Sequence, residues 1–124
     1  MIETICNTTK SSPSLVFDSE KNIFRIEGIS TLVNAIEFFD SIIQWINLNE
    51  HRLQKKVEFQ FHLPYFNSAS MKGILMVMQR IKKGIDSGQD WSIGWHIEED
   101  DEFLIDAAES FQEMIDMEIQ ILRP

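Results

Sequence analysis

Few residues in this chain are of types that do chemistry, and most of those stand in small groups. In Tyr65-Phe66-Asn67-Ser68-Ala69-Ser70-Met71-Lys72, an amide, two hydroxyls and an ammonium lie between an alternating apolar run and a helical one, with no acid or histidine beside them. A serine becomes a nucleophile only when a base activates it, and the neighbouring sequence offers none. Asn67 or Ser68 can instead cap a helix, its side-chain oxygen accepting an orphan backbone N–H. Capping explains one polar residue and leaves the second hydroxyl. A phosphoryl group on Ser68 would add about -1.5 to -2 charges and three acceptor oxygens. At a helix start those oxygens meet unpaired N–H groups and the positive end of the dipole, so the fold should tolerate them. Cap alone and cap with modification are both open on these residues, with Ser70 as the alternative acceptor.

The other candidates carry less. The run Glu98-Glu99-Asp100-Asp101-Glu102 lacks the alternating oxygens and bend glycine of a calcium loop, and acids at a helix start suit the backbone dipole. His51, His62 and His96 are scattered singly. His62 and His96 fall on the polar faces of strand-like runs, where a solvent-facing ring is expected. Cys6 is the only cysteine, which excludes an internal disulfide and a zinc site of its own, and a passive thiol is expected there. No phosphate-cradle, nucleophile-elbow or zincin motif occurs, so no enzyme activity and no cofactor or metal are expected.

The elements that must hold these residues follow from periodicity. Leu15 to Phe17 and Ile23 to Glu27 read as a hairpin around the polar turn at residues 18–22, with Gly28 closing the second strand. Ser30 or Thr31 can cap a helix whose inner stripe is Leu32, Ala35, Ile36, Phe39, Ile42, Ile43 and Ile46. Phe38 and Trp45 widen that stripe, and packing under a neighbouring loop is their expected role. Val57, Phe59, Phe61 and Leu63 alternate with Glu58, Gln60 and His62, marking a strand that Pro64 ends. Met71, Ile74, Leu75, Met78 and Ile81 make a second helix, with Gly84 as its stop. Trp91 to Ile97 form another strand. A third helix opens at Asp100 or Asp101 and buries Phe103, Leu104, Ala107, Ala108, Phe111, Met114 and Ile115. Ile119 to Leu122 can add an edge strand. The order β-β-α-β-α-β-α(-β) predicts one α/β (α+β) domain over residues 1–124, with a mixed sheet of four to five strands and about three helices. Residues 1–10 are expected to be loosely ordered or an edge segment.

With 44% apolar and 25% charged residues, the composition is that of a soluble domain, and no apolar run approaches membrane-spanning length. Residues 1–10 lack the features of a secretion signal, so a cytoplasmic location is expected. The net charge of -9 opposes binding to nucleic acid.

"SPSLVFD" (Ser12 to Asp18), "IEGIS" (Ile26 to Ser30), "NAIEFF" (Asn34 to Phe39), Trp45, "YFNSASMK" (Tyr65 to Lys72) and "WHIEEDDE" (Trp95 to Glu102), ahead of the Ala107-Ala108 helix, occur in an order and spacing that resembles the SiaC family of bacterial regulatory phosphoproteins. The similarity runs from about Thr9 to the C-terminus. It implies a fold like the STAS domains of anti-sigma-factor antagonists and a non-catalytic partner switch. A serine/threonine kinase of histidine-kinase-like fold would phosphorylate the protein, and a PP2C-type phosphatase would reverse it. The unmodified form would bind and activate a diguanylate cyclase, raising cyclic-di-GMP and promoting biofilm. By position the family's acceptor, usually threonine, falls on Ser68. Asn67, Ala69, Ser70 and Lys72 are the implied partner contacts around it. Ala69 replaces a second hydroxyl residue, Leu32-Val33 replace a Pro-Glu pair, and Asn22 stands where glycine is common. An anti-sigma-factor antagonist-type switch is the first alternative. A ligand-binding or enzyme domain built on His62, His96 and the acidic run is the second.

Overall fold

The computed structural model describes all residues, Met1–Pro124. Six strands, β1 (Ile2–Cys6), β2 (Ser14–Asp18), β3 (Ile23–Glu27), β4 (Val57–His62), β5 (Trp91–His96) and β6 (Gln120–Leu122), form one sheet in chain order. β1, β2 and β3 pair antiparallel, and β3 to β6 pair parallel. The helices α1 (Ala35–Asn49), α2 (Ser68–Asp86) and α3 (Glu102–Ile115) are the crossovers between the parallel strands. No helix is long and apolar enough to cross a membrane.

Alternation decides which face the helices cover. Phe24 and Ile26 of β3, Val57, Phe59 and Phe61 of β4, and Trp91, Ile93 and Trp95 of β5 share one buried cluster with Phe39, Ile74, Val77, Leu104 and Phe111 of the helices. The opposite face carries Arg25, Glu27, Glu58, Gln60, His62 and His96 and is left to solvent. The result is a two-layer sandwich with one apolar core.

Of the two alternatives for residues 1–10 the edge segment is adopted, which raises the strand count to six. Several other expectations change, among them the burial of Phe103 and Met114, which are exposed. Residues 2–6 form an edge strand, a sixth in the sheet, tied down by β2 and by Arg52, whose guanidinium donates to Glu3 at 2.6 Å. That contact holds the Glu3 carboxyl below its usual range, because a carboxylate bonded by a cation keeps its charge. Neither Ser30 nor Thr31 caps α1. Ser30 lies in a parallel bridge to Phe66, and α1 opens at Asn34, which makes no side-chain cap. Gly84 does not end α2 but lies inside it, where an added Cβ would overlap the Trp91 ring. Trp45 packs on the sheet rather than under a loop, its ring 5.4 Å from Phe17 and 4.9 Å from Phe24.

The β2–β3 turn is as read. Asp18 Oδ1 accepts from the N–H groups of Glu20 and Lys21, and Asn22 takes the left-handed conformation at φ 57°. Asparagine is among the few residues that tolerate it, which is how it stands in for glycine.

Candidate functional site

The parallel strands end on one edge of the sheet, and the segment between β4 and α2 runs along it. His62 ends β4, Leu63 is buried, and Pro64 and Tyr65 are exposed. Phe66 then turns inward against Trp95, Phe103 and Phe111. Backbone bonds join this segment to the chain after β3: Ser30 N–H donates to Tyr65 O at 3.1 Å, and Asn67 N–H to Ser30 O at 3.0 Å. This pairing fixes where α2 begins.

Asn67 is the N-cap. Its Oδ1 accepts from the Ser70 N–H at 2.9 Å, while its Nδ2 donates to Leu32 O at 3.2 Å. The Ser70 hydroxyl donates to Asn67 Oδ1 at 2.6 Å and lies 2.6 Å from Ser30 Oγ. One amide and two hydroxyls thus lock the turn, and Ser30 and Ser70 are fully buried. Asn67→Ala is therefore expected to cost about 1–2 kcal/mol, the upper range for a lost N-cap, since the Ser70 hydroxyl also exchanges its 2.6 Å bond to Asn67 for the 3.1 Å one to Ser30 O. Urea denaturation monitored by far-UV circular dichroism measures it.

Ser68 sits outside this network. It is the first helical residue and is exposed, and its N–H and that of Ala69 belong to the first-turn amides that no intrahelical acceptor reaches. Lys72, one turn on and also exposed, shares its face. Together with Ala69, these residues line an open depression of about 400 Å³ whose other wall is the start of α1: Val33, Asn34, Ala35 and Ile36. Val33 is 98% exposed and Ile36 41%. Tyr65 and Phe103 stack with centroids 5.8 Å apart, each nearly half exposed.

The two serines therefore differ in kind, and the expectation for Ser70 is corrected. Its side chain has no solvent access and its hydroxyl is already bonded, so neither a kinase nor a partner surface reaches it. Asn67 is half-buried and committed to the cap, leaving Ser68, Ala69 and Lys72 as the accessible members of the predicted set. Val33 and Ile36 were not among the sequence candidates. Ile36 reads as part of the α1 core stripe, and only the crossing of α1 over α2 brings both residues to the Ser68 helix start.

The histidines depart from expectation too. His62 and His96 stack with ring centroids 4.7 Å apart. His62 lies between Glu27, at 2.9 Å from Nδ1, and Glu98, which contacts Nε2. Burial, then the adjoining His62 charge, holds the His96 ring below the usual histidine range. The acidic run caps α3 as read, Asp101 Oδ1 accepting from the N–H groups of Phe103 and Leu104.

A family model described as "SiaC family regulatory phosphoprotein" matches residues 6–123. The chain belongs to the SiaC family. Among SiaC structures of Pseudomonas aeruginosa, one solved in complex with the diguanylate cyclase SiaD, described there with SiaC as its activator, is 25% identical to this chain. It superposes with a TM-score of 0.81 over 98% of this chain and 99% of that one. Apo-SiaC from the same organism, 23% identical over 96% of this chain and 98% of its own, gives 0.80 and supports the fold alone. An uncharacterised protein of Pseudomonas aeruginosa strain UCBPP-PA14 is 26% identical over 85% of this chain and 83% of its own length.

Proposed function

We propose that this SiaC-family chain is a non-catalytic, cytoplasmic switch in which reversible phosphorylation of Ser68 gates docking onto a diguanylate cyclase, and so the level of cyclic-di-GMP and biofilm formation. The observation that carries this reading is the exposed Ser68 hydroxyl at the start of α2, between orphan amides and a depression walled by Val33 and Ile36. The solved complex of a family member with such a cyclase names the effector class.

In the unmodified state the depression offers the apolar surface of Val33, Ala35, Ile36 and Ala69 beside the small Ser68 hydroxyl, with Asn34 and Lys72 as polar contacts for a partner. Phosphorylation puts a bulky, hydrated dianion where that partner must seat, and covering it costs its hydration. The scaffold itself accepts the group, because a helix start with unpaired first-turn amides, and Lys72 one turn on, suit an anion. Recognition changes while the fold does not. A kinase of histidine-kinase-like fold adds the phosphoryl group, and a PP2C-type phosphatase removes it. Intact-mass measurement of the protein from its native host tests the acceptor. One phosphoryl group on the wild type that is lost in Ser68→Ala supports Ser68, whereas the same group persisting in Ser68→Ala contradicts it.

A further inference from the structure

On the solvent-facing side of the sheet, His62 holds two carboxylates from separate parts of the chain. Nδ1 faces Glu27 Oε2 of β3 at 2.9 Å, and Nε2 faces Glu98 Oε1 of the β5–α3 loop. The imidazole is about one-fifth exposed, and each carboxylate about half. Only the doubly protonated ring donates from both nitrogens; the neutral ring turns one lone pair toward a carboxylate and must lose one of the two bonds. We infer that His62 is a proton-operated clasp, holding the acidic β5–α3 loop against the sheet while its ring is charged and releasing that loop when the proton leaves.

The geometry indicates which bond gives way. Glu27 is the register partner of His62 across the β3–β4 ladder, so the sheet fixes it. Glu98 opens a turn in which Glu99 has φ 48°. That turn is tied by the Arg123 guanidinium, which donates to Glu99 O at 3.1 Å and lies 3.7 Å from Asp100, and by Asp101 N–H, which donates to Glu98 O at 3.2 Å. The remaining charged neighbours have their own partners. On β3, Arg25 keeps its charge and donates to Gln60 Oε1 at 2.9 and 3.2 Å. On β4, Glu58 accepts from Gln60 Nε2 at 3.1 Å. On β5, His96 stacks on the clasp, and burial, then the neighbouring His62, holds its ring below the usual histidine range. β6 places only Leu122 opposite His96.

The loop leads into the α3 cap and Phe103, whose ring stacks on Tyr65 of the segment that leads to Ser68. Acid pH therefore braces the edge that the Ser68 surface occupies, and alkaline pH loosens it. That consequence rests on the reading of Ser68 given above, but the clasp does not. Nuclear magnetic resonance titration of the full chain, unphosphorylated, tests the clasp alone. In the wild type the amide resonances of residues 98–101 shift with the midpoint of the His62 ring. In Glu98→Gln, which cannot pair ionically with the ring, that shift is lost while the His62 ring still titrates against Glu27. Loop amides that stay flat through the His62 titration, or that move equally in Glu98→Gln, would overturn the inference.

Discussion

Ser70→Asp is expected to destabilise the protein by about 3–5 kcal/mol, whereas Ser68→Asp, two residues away, changes stability by no more than about 0.5 kcal/mol. The contrast comes from burial. Ser70 is sealed, its hydroxyl packed against Ser30 Oγ and Asn67 Oδ1 at 2.6 Å each, so a carboxylate there would be desolvated beside two oxygens. Ser68 opens to water at a helix start, where an acid suits the dipole. Against a total stability of roughly 5–15 kcal/mol, the first change can unfold much of the population and the second is barely visible. Urea denaturation of both variants measures this. Equal costs would mean that the hydroxyl network does not close the turn.

Trp95→Ala should cost a similar amount, about 3–5 kcal/mol. The ring is 1% exposed, its centroid 5.4 Å from that of Phe111, 5.8 Å from Phe66 and 6.1 Å from Phe61. Its indole N–H donates to Leu104 O at 3.0 Å. Removing it opens a cavity under the α3 start and loses that bond, while Leu104 O keeps its donor within α3. Phe66 rests on this ring and heads the segment that presents Ser68, so the variant should also weaken effector binding without touching the partner. Trp95→Phe keeps most of the packing and loses the N–H bond, so its midpoint in urea should fall between those of Trp95→Ala and the wild type.

Local pattern was enough for most of the fold. Period-two runs such as Val57 to Leu63 and Trp91 to Ile97 can be buried on one face only, and the helical stripes of α1, α2 and α3 need a common apolar surface. What failed was decided by tertiary context. Gly84 carries the mark of a helix stop, yet its missing side chain makes room for Trp91, which lies beyond the helix. Ser30 looks like a cap because it precedes a helical stripe, yet the β3–β4 pairing carries it into a bridge with Phe66. Ile2 to Cys6 is too short and mixed to announce a strand, and forms one because the β2 edge is available.

The site was legible in part. Helix-start chemistry was visible in Asn67 and Ser68, since caps are local. Which hydroxyl is exposed was not, because two residues of helical rotation separate a solvent-facing side chain from a core-facing one, and only the packing of α2 against Ser30 sets that angle. The His62 cluster was out of reach for a related reason. Glu27 and His62 meet through strand register and Glu98 through a loop, contacts spanning 35 and 36 residues of sequence.

The central claim is that one charge at Ser68 changes recognition while leaving the scaffold intact. Titration calorimetry of the host's diguanylate cyclase against the unmodified chain and against the chain stoichiometrically phosphorylated at Ser68 tests it most directly, with thermal unfolding of both forms alongside. We expect tight binding by the unmodified chain, a loss of at least tenfold on phosphorylation (about 1.4 kcal/mol or more) and closely similar melting curves. Equal affinities for the two forms, or weaker binding accompanied by unfolding of the phosphorylated chain, would contradict it.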